Sequence, residues 1–426
     1  MSKIIKKVYY AIEIELASPL SISNGIGLET DADLIRTSDG RVFIPGTSIA
    51  GALRNSIDPT LRDKIAGFSD GKSGSMSKLF ISDLCFDNGI KSVRDGVKLS
   101  AAKSVENKFD FEVLETGAES TMFISYLVRK GDSEAQFQST IICLLNGIAD
   151  GQIRFGANKN RGYGRIAVKS VRSKAFDCNN LYEYISFEVR DLSHYEKPET
   201  YAEWAIKNSE KNDQYCKVTI PLRLTGGISI RKYSARLNEA DFMQITLGSE
   251  NSEKRPVIPG TSWNGAIRAD ALGILKELNV KDAETYINQW FGHVDKKDLE
   301  GKKARQSAIV IGESIINESV PLTMTRNKIN RFDASTQDGA LYTEISYFGG
   351  TTDLEIMVIK GINYKAILGL IMLVISDIVN GYVAIGGQTA VGRGLFEANG
   401  EAKFSEEHLT ESECRKALYR YLQEVR

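Results

Sequence analysis

The sequence predicts an α+β protein made of two similar units. Three observations carry that expectation: a repeated segment, glycines at one fixed spacing, and two rounds of strand-like and helix-like runs. IPGTSIAGALR at residues 44–54 returns as IPGTSWNGAIR at residues 258–268, and LFISD at 79–83 has a looser echo in IVIGE at 309–313. Gly151, Gly156, Gly162 and Gly164 correspond to Gly381, Gly386, Gly392 and Gly394, each shifted by 230 positions. Landmarks that recur in the same order mark a duplicated domain. The 426 residues suit about two domains. The first unit is expected at 1–175 and the second at 214–426, with a polar, charged connector at 176–213.

Each unit opens with an alternating run, Val8 to Leu16 and Cys216 to Leu224, the period of a half-buried strand. A glycine-bearing loop follows, then IPGTS and a run of small residues that starts a helix. Thr47 or Ser48, and Thr261 or Ser262, are the expected N-caps, since a hydroxyl there can accept an orphan amide. Further strands are expected at 120–128 and 353–359, and apolar helices at 138–148 and 364–378. The connector carries a short helix at 199–208. The chain ends in an amphipathic helix with Leu409, Leu418 and Leu422 as its apolar anchors. Strands and helices mixed in this order favour ferredoxin-like α+β units.

Composition narrows the function. Hydrophobic residues are 42% and charged residues 26%, which excludes a disordered or collagenous chain. The 54 Lys and Arg balance 55 Asp and Glu, so no global basic field exists and a nucleic-acid partner must be held by local patches. Five cysteines, none in a CxxC pair, read as reduced intracellular thiols and argue against a zinc site of the common spacing. The opening residues lack a signal peptide's apolar core, and the longest apolar run, 366–376, is about half a membrane span. A cytoplasmic protein with no membrane partner is expected.

Two phosphate-loop readings fail. GANKNRGYGRI at 156–166 leads into a strand-like IAV, whereas a dinucleotide fingerprint leads into a helix. GFSDGKSG at 67–74 has Ala66 where a P-loop needs its first glycine. What remains is a glycine loop rich in cations. Residues 151–175 carry Arg154, Lys159, Arg161, Arg165, Lys169, Arg172 and Lys174 and no acid. Glycines let a phosphodiester backbone approach while Lys and Arg neutralise it, although a solvated hairpin would read the same way. A second acid-free stretch, 217–237, carries Lys217, Arg223, Arg231, Lys232 and Arg236. In IPGTS, the helix N-terminus at Gly46, Thr47 and Ser48, and at Gly260, Thr261 and Ser262, could offer amides to phosphate. The bland alternative is close helix–sheet packing. Arg54 and Arg268 close the two repeats. Phe155, Tyr163, Tyr233 and Trp263 are candidates either for stacking on bases or for the core.

The acidic candidates lie in TDADLIR, residues 30–36. Asp31 and Asp33 would share one face of an extended stretch, where they could hold a hydrated Mg²⁺ or serve as a base. In unit two, EADFMQ at 239–244 sets Glu239 opposite Asp31 and Asp241 opposite Asp33, a weaker pair because the longer side chain displaces its carboxylate. His194, His293 and His408 have no partner at metal-ligand spacing, and no Ser–His–Asp or Cys–His arrangement can be picked out.

These residues resemble the RAMP superfamily of CRISPR-associated proteins, most closely the backbone subunits of type III effector complexes. The resemblance rests on residues 18–54, on NRGYGRI, and in unit two on PLRLTGGISI, IPGTSWNGAIR, TRNKINRFD at 325–333, GALYTE at 339–344 and TAVGRG at 389–394. It implies tandem RRM-like domains that line a CRISPR RNA within a type III complex. It adds Arg326, Arg331 and Arg393 to the RNA-contacting candidates. It also implies metal-dependent cleavage of complementary target RNA, with Asp31 at the family's aspartate position, Mg²⁺ as cofactor, and a protruding hairpin that kinks the guide–target duplex. Two departures stand out: Ala32-Asp33 follows the aspartate, which leaves Asp33 as a second candidate, and unit one has only NKFDFEVLETGAES (107–120) where a hairpin segment is expected, implying a shorter or reshaped hairpin. The alternatives are a non-catalytic guide-RNA scaffold, a precursor-RNA-processing RAMP endonuclease, which would need a well-placed base, and a small-molecule α+β enzyme.

Overall fold

The computed structural model describes residues 2–25, 27, 29–99, 105–208, 213–233, 239–247, 254–293, 304–361 and 363–425. The chain divides into two compact units, one comprising 1–159 with 163–212, the other 160–162 with 213–426.

In unit one, β1 (Ile4–Leu16) is the central strand, and its apolar residues alternate inward as the sequence pattern requires. The chain continues through β2 (Val42–Ile44), α1 (Gly46–Ser56), α2 (Pro59–Ala66), β3 (Leu79–Ile81) and β4 (Leu84–Phe86). After β4 come the hairpin strands β5 (Lys91–Leu99) and β6 (Val105–Leu114), then β7 (Glu119–Arg129), α3 (Glu134–Ala149) and β8 (Ile166–Phe176). The sheet runs β8-β1-β7-β3, with the two-residue strand Glu199–Thr200 on the outer edge of β8. The strands β1, β3, β7 and β8, with α1 and α3 between them, give the ferredoxin-like β-α-β-β-α-β order. Ile49 and Leu53 of α1, and Phe137, Ile141, Leu144 and Leu145 of α3, are buried in one cluster with Ile12, Ile14, Met122, Ile124 and Ile166. β2 pairs with β4 to one side. The unit-one hairpin is not short: β5 and β6 pair from Lys91↔Leu114 to Leu99↔Val105, and residues 107–114 of the segment read as a departure form its second strand. The connector helix α4 (Tyr201–Lys207) begins at Thr200, whose side chain and that of Glu203 form a reciprocal capping box.

Unit two repeats the order with β9 (Tyr215–Thr225), short strands β10 (Arg231–Tyr233) and β11 (Phe242–Gln244), α5 (Gly260–Glu277), α6 (Ala283–Phe291) and β12 (Ile309–Ile311). The ribbon strands β13 (Val320–Arg326) and β14 (Tyr342–Phe348) follow, then β15 (Thr351–Ile359), α7 (Tyr364–Val379), β16 (Leu395–Ala398) and the terminal helix α8 (Glu411–Val425). Its sheet is β12-β15-β9-β16, the same order as in unit one. Cys414, Leu418 and Leu422 of α8, with Leu409 just before it, belong to the core that contains α7. Among the described residues no helix is long and apolar enough to cross a membrane.

The helix starts differ from expectation. Pro45 and Pro259 are the N-cap residues, so Thr47, Ser48, Thr261 and Ser262 lie inside the first turn and cap nothing. The Ser48 and Ser262 amides each donate to the proline carbonyl at 2.9 Å, so the helix starts at least two residues earlier than a hydroxyl cap would place it.

Candidate nucleic-acid interface

In unit one, residues 29–36 lie along β6. The Ala32 carbonyl accepts the Glu112 amide at 3.0 Å, the Leu34 amide donates to the buried Glu112 carboxylate at 2.9 Å, and Arg36 Nη2 reaches both Glu112 oxygens at 2.7 and 2.8 Å. Upstream, Asp31 and Asp110 exchange hydrogen bonds. The Asp31 amide donates to Asp110 Oδ1 at 2.9 Å, and the Asp110 amide donates to Asp31 Oδ2 at 3.1 Å. Asp31 is exposed, and among the described residues its Oδ1 accepts no hydrogen bond.

Asp33 differs in every respect. It is 9% exposed, and its oxygens accept the Glu29 and Thr30 amides at 3.1 and 2.9 Å and the Thr30 hydroxyl at 2.7 Å. The expectation that Asp31 and Asp33 share a face therefore fails: residues 29–32 form a bend instead of a strand, so the alternation of side chains does not apply. Asp33 holds the bend together, while Asp31 is the carboxylate offered outward.

In unit two, β11 pairs in parallel with β14, Phe242 opposite Glu344 and Met243 opposite Ile345. Asp241 Oδ2 accepts the Thr343 amide at 2.7 Å, as Asp31 accepts the Asp110 amide. Register therefore matches Asp241 with Asp31. The sequence alignment that put Glu239 there is two residues out, because the longer loop before IPGTS in unit two leaves no fixed point from which to count. Behind Asp241, the buried Glu344 carboxylate takes Arg326 Nε at 3.0 Å and Gln388 Nε2 at 2.6 Å, joining the ribbon to the glycine loop. Arg393, 9% exposed, lies over the Phe348 ring at 4.4 Å, with Nη2 3.7 Å from the Met324 sulfur. Arg331 is exposed.

The repeated IPG glycines serve packing. A Cβ on Gly46 would come 2.9 Å from the Ile81 carbonyl oxygen, and one on Gly260 would come 2.5 Å from that of Ile311. The Gly46 amide already donates to Asp83 Oδ1 at 2.6 Å. The repeat's closing arginines are likewise committed to the chain. Arg54 donates to the Gly67 carbonyl and pairs with Asp63 at 2.8 Å, while Arg268 donates to the Gly292 carbonyl at 2.9 Å and to Asn288 at 2.7 Å. Gly67 and Gly292 are the C-cap residues of α2 and α6, so each guanidinium satisfies a carbonyl at a helix end. Burial pulls the Arg268 guanidinium below its ordinary value. Arg54→Ala and Arg268→Ala are therefore expected to cost about 1–3 kcal/mol of stability and to leave the salt dependence of RNA binding unchanged, as denaturant unfolding and binding titrations would read out.

Of the seven cations at 151–175, at least five, Arg165 among them, are engaged within the protein. Arg154 Nε donates to the Gly151 carbonyl at 3.0 Å, Lys169 pairs with Glu15, Arg172 with Glu13 at 3.3 Å, and Lys174 with Glu183 at 2.8 Å. Arg165 is half-buried, and its amide donates to Ser18 Oγ at 2.9 Å. Lys159 and Arg161 form no ion pair among the described residues, and Arg161 is exposed. In the second acid-free stretch, Lys217 pairs with Glu355 at 2.6 Å, Arg223 with Glu397 at 3.6 Å, and Arg231 lies over Phe242 at 4.2 Å. Arg236 lies outside the described residues. Phe155, Tyr163 and Trp263 are buried, which makes them core residues and removes them from the stacking candidates; nothing is described of the Tyr233 side chain.

The two regions of the chain with this geometry, residues 13–167 and 215–397, match the family model of the RAMP superfamily. The chain belongs to that superfamily. No curated protein matches it. Membership in the RAMP superfamily carries, in general terms, a CRISPR-associated role in binding RNA. Among the described residues no three His, Cys, Asp or Glu side chains converge as a metal cage. A Mg²⁺ ion that keeps most of its waters needs few protein oxygens, and the exposed Asp31 carboxylate could supply one.

Proposed function

We propose that this RAMP protein is a tandem backbone subunit of a type III CRISPR effector complex, binding guide RNA and cleaving complementary target RNA through Asp31. The supporting observation is the asymmetry between Asp31 and Asp33: one carboxylate is exposed, with its orientation fixed against the hairpin strand, and the other is consumed by its own loop. In the reaction, a 2′-hydroxyl of the target attacks the adjacent phosphodiester in line. Its proton passes to Asp31 Oδ1, the P–O5′ bond breaks, and solvent protonates the departing 5′-oxygen, leaving a 2′,3′-cyclic phosphate. A hydrated Mg²⁺ at Asp31 supplies charge neutralisation when bound. Lys159, Arg161 and Arg331 hold the RNA backbone without reading its sequence.

RNA binding is expected to weaken steeply with salt, and Arg331→Ala to lower the slope of log affinity against log salt by about 0.7–0.9, one phosphate contact. An unchanged slope would remove Arg331 from the interface. Chelating Mg²⁺ should abolish cleavage and leave guide binding intact. Cleavage that survives chelation would instead favour the metal-independent, precursor-processing reading.

A further inference from the structure

We propose that Asp110 is the positioning residue that fixes Asp31, an inference that rests on Asp31 being the working carboxylate. Asp31 sits in a bend with no ladder of main-chain hydrogen bonds on both sides of it, so nothing in regular structure sets its direction. The hairpin supplies what the bend lacks. Asp110 Oδ1 holds the Asp31 amide, and the Asp110 amide holds Asp31 Oδ2. The first bond fixes the backbone and the second fixes the side-chain torsions, so Oδ1 is presented in one direction. Hydrogen bonds from an amide to a carboxylate are the stronger kind, and both are of that kind.

Unit two has only half of this arrangement. Asp241 receives the Thr343 amide, but the residue in the place of Asp110 is threonine, whose hydroxyl lies 3.1 Å from that of Thr325. No carboxylate from β14 returns to the Asp241 amide. The orientation of Asp241 is thus less restricted than that of Asp31, and unit one is the faster cutter of the two.

The test compares wild type with Asp110→Thr, which installs the unit-two residue, Asp110→Asn, which keeps a carbonyl acceptor, and Asp31→Ala. Each full chain is assembled with guide RNA and its partner subunits. Two readouts are taken: cleavage of a complementary RNA with Mg²⁺, and amide hydrogen exchange of the peptide covering 29–36 without metal. Asp110→Thr should slow the unit-one cut 10- to 100-fold and speed exchange at the Asp31 amide. Asp110→Asn should cut at least about tenfold faster than Asp110→Thr and protect that amide as wild type does. Equal loss in both Asp110 variants, or unaltered exchange in Asp110→Thr, overturns the positioning role. If Asp31→Ala cuts normally, the reading of Asp31 has failed, and the exchange data still decide whether Asp110 orders the bend.

Discussion

Asp31→Ala is expected to abolish one cut in the target RNA, lowering its rate at least 100-fold, while guide binding and cuts made by other subunits persist. The size of the effect follows from how the site is built. Among the described residues of the 29–32 bend, Asp31 is the carboxylate whose orientation is fixed against the hairpin, whereas the exposed Glu29 has no such anchor and is not aimed to take over the proton. Asp33 cannot, because its oxygens are already used by three donors of the same bend. Asp33→Ala should therefore act through stability, releasing the bend and lowering the melting temperature, with any loss of cleavage secondary to that. The two variants separate on a thermal melt combined with a single-turnover assay. Cleavage untouched by Asp31→Ala would leave a guide-binding scaffold as the better account of this chain.

The division between what the sequence announced and what it hid follows a physical line. Repeats, alternation and apolar helical runs announce themselves locally, which is why the long strands β1, β7, β9 and β15 and the helices α3, α7 and α8 could be located within a few residues, while the short strands β3, β12 and β16 could not. The glycine shift of 230 positions had the same character, since each glycine is demanded by its own backbone. Partners distant in sequence leave no such mark. Asp110 lies 79 positions from Asp31 and Thr343 lies 102 from Asp241, so the register of those pairings, and with it the equivalence of Asp241 to Asp31, emerged only from the folded strands. The arginines of the IPGTS repeat illustrate the converse hazard. Arg54 and Arg268 recur at the same place in the repeat, as paired phosphate ligands would, yet each donates to a carbonyl at the end of the following helix. One signal for Asp83 was present, the acid in LFISD, whose carboxylate receives the Gly46 amide.

Gly164→Ala and Gly394→Ala should prevent the corresponding unit from folding, a loss above about 4 kcal/mol. Both residues have φ of +72°, where a side chain is strained whatever the space. Space is also lacking: a Cβ on Gly164 would press into the Phe155 carbonyl, and one on Gly394 into that of Ile385. Those carbonyls cannot retreat. The Phe155 amide donates to the Gly164 carbonyl at 3.0 Å and the Gly164 amide to Pro19 at 2.8 Å; in unit two the Ile385 amide donates to Gly394 at 2.9 Å and the Gly394 amide to Gly227 at 2.8 Å. The loop is thereby tied to the end of the first strand, the same knot in both halves. Gly51→Ala and Gly265→Ala make the contrast, since both are helical and a Cβ at either would meet nothing within 4 Å. They should stabilise their helices by about 0.5–1 kcal/mol. If calorimetry finds that gain while guide affinity falls, the small residue in each IPGTS repeat is kept open for RNA. If affinity is unmoved, the glycine there serves neither packing nor ligand, and RNA approaches each unit through the exposed cations alone.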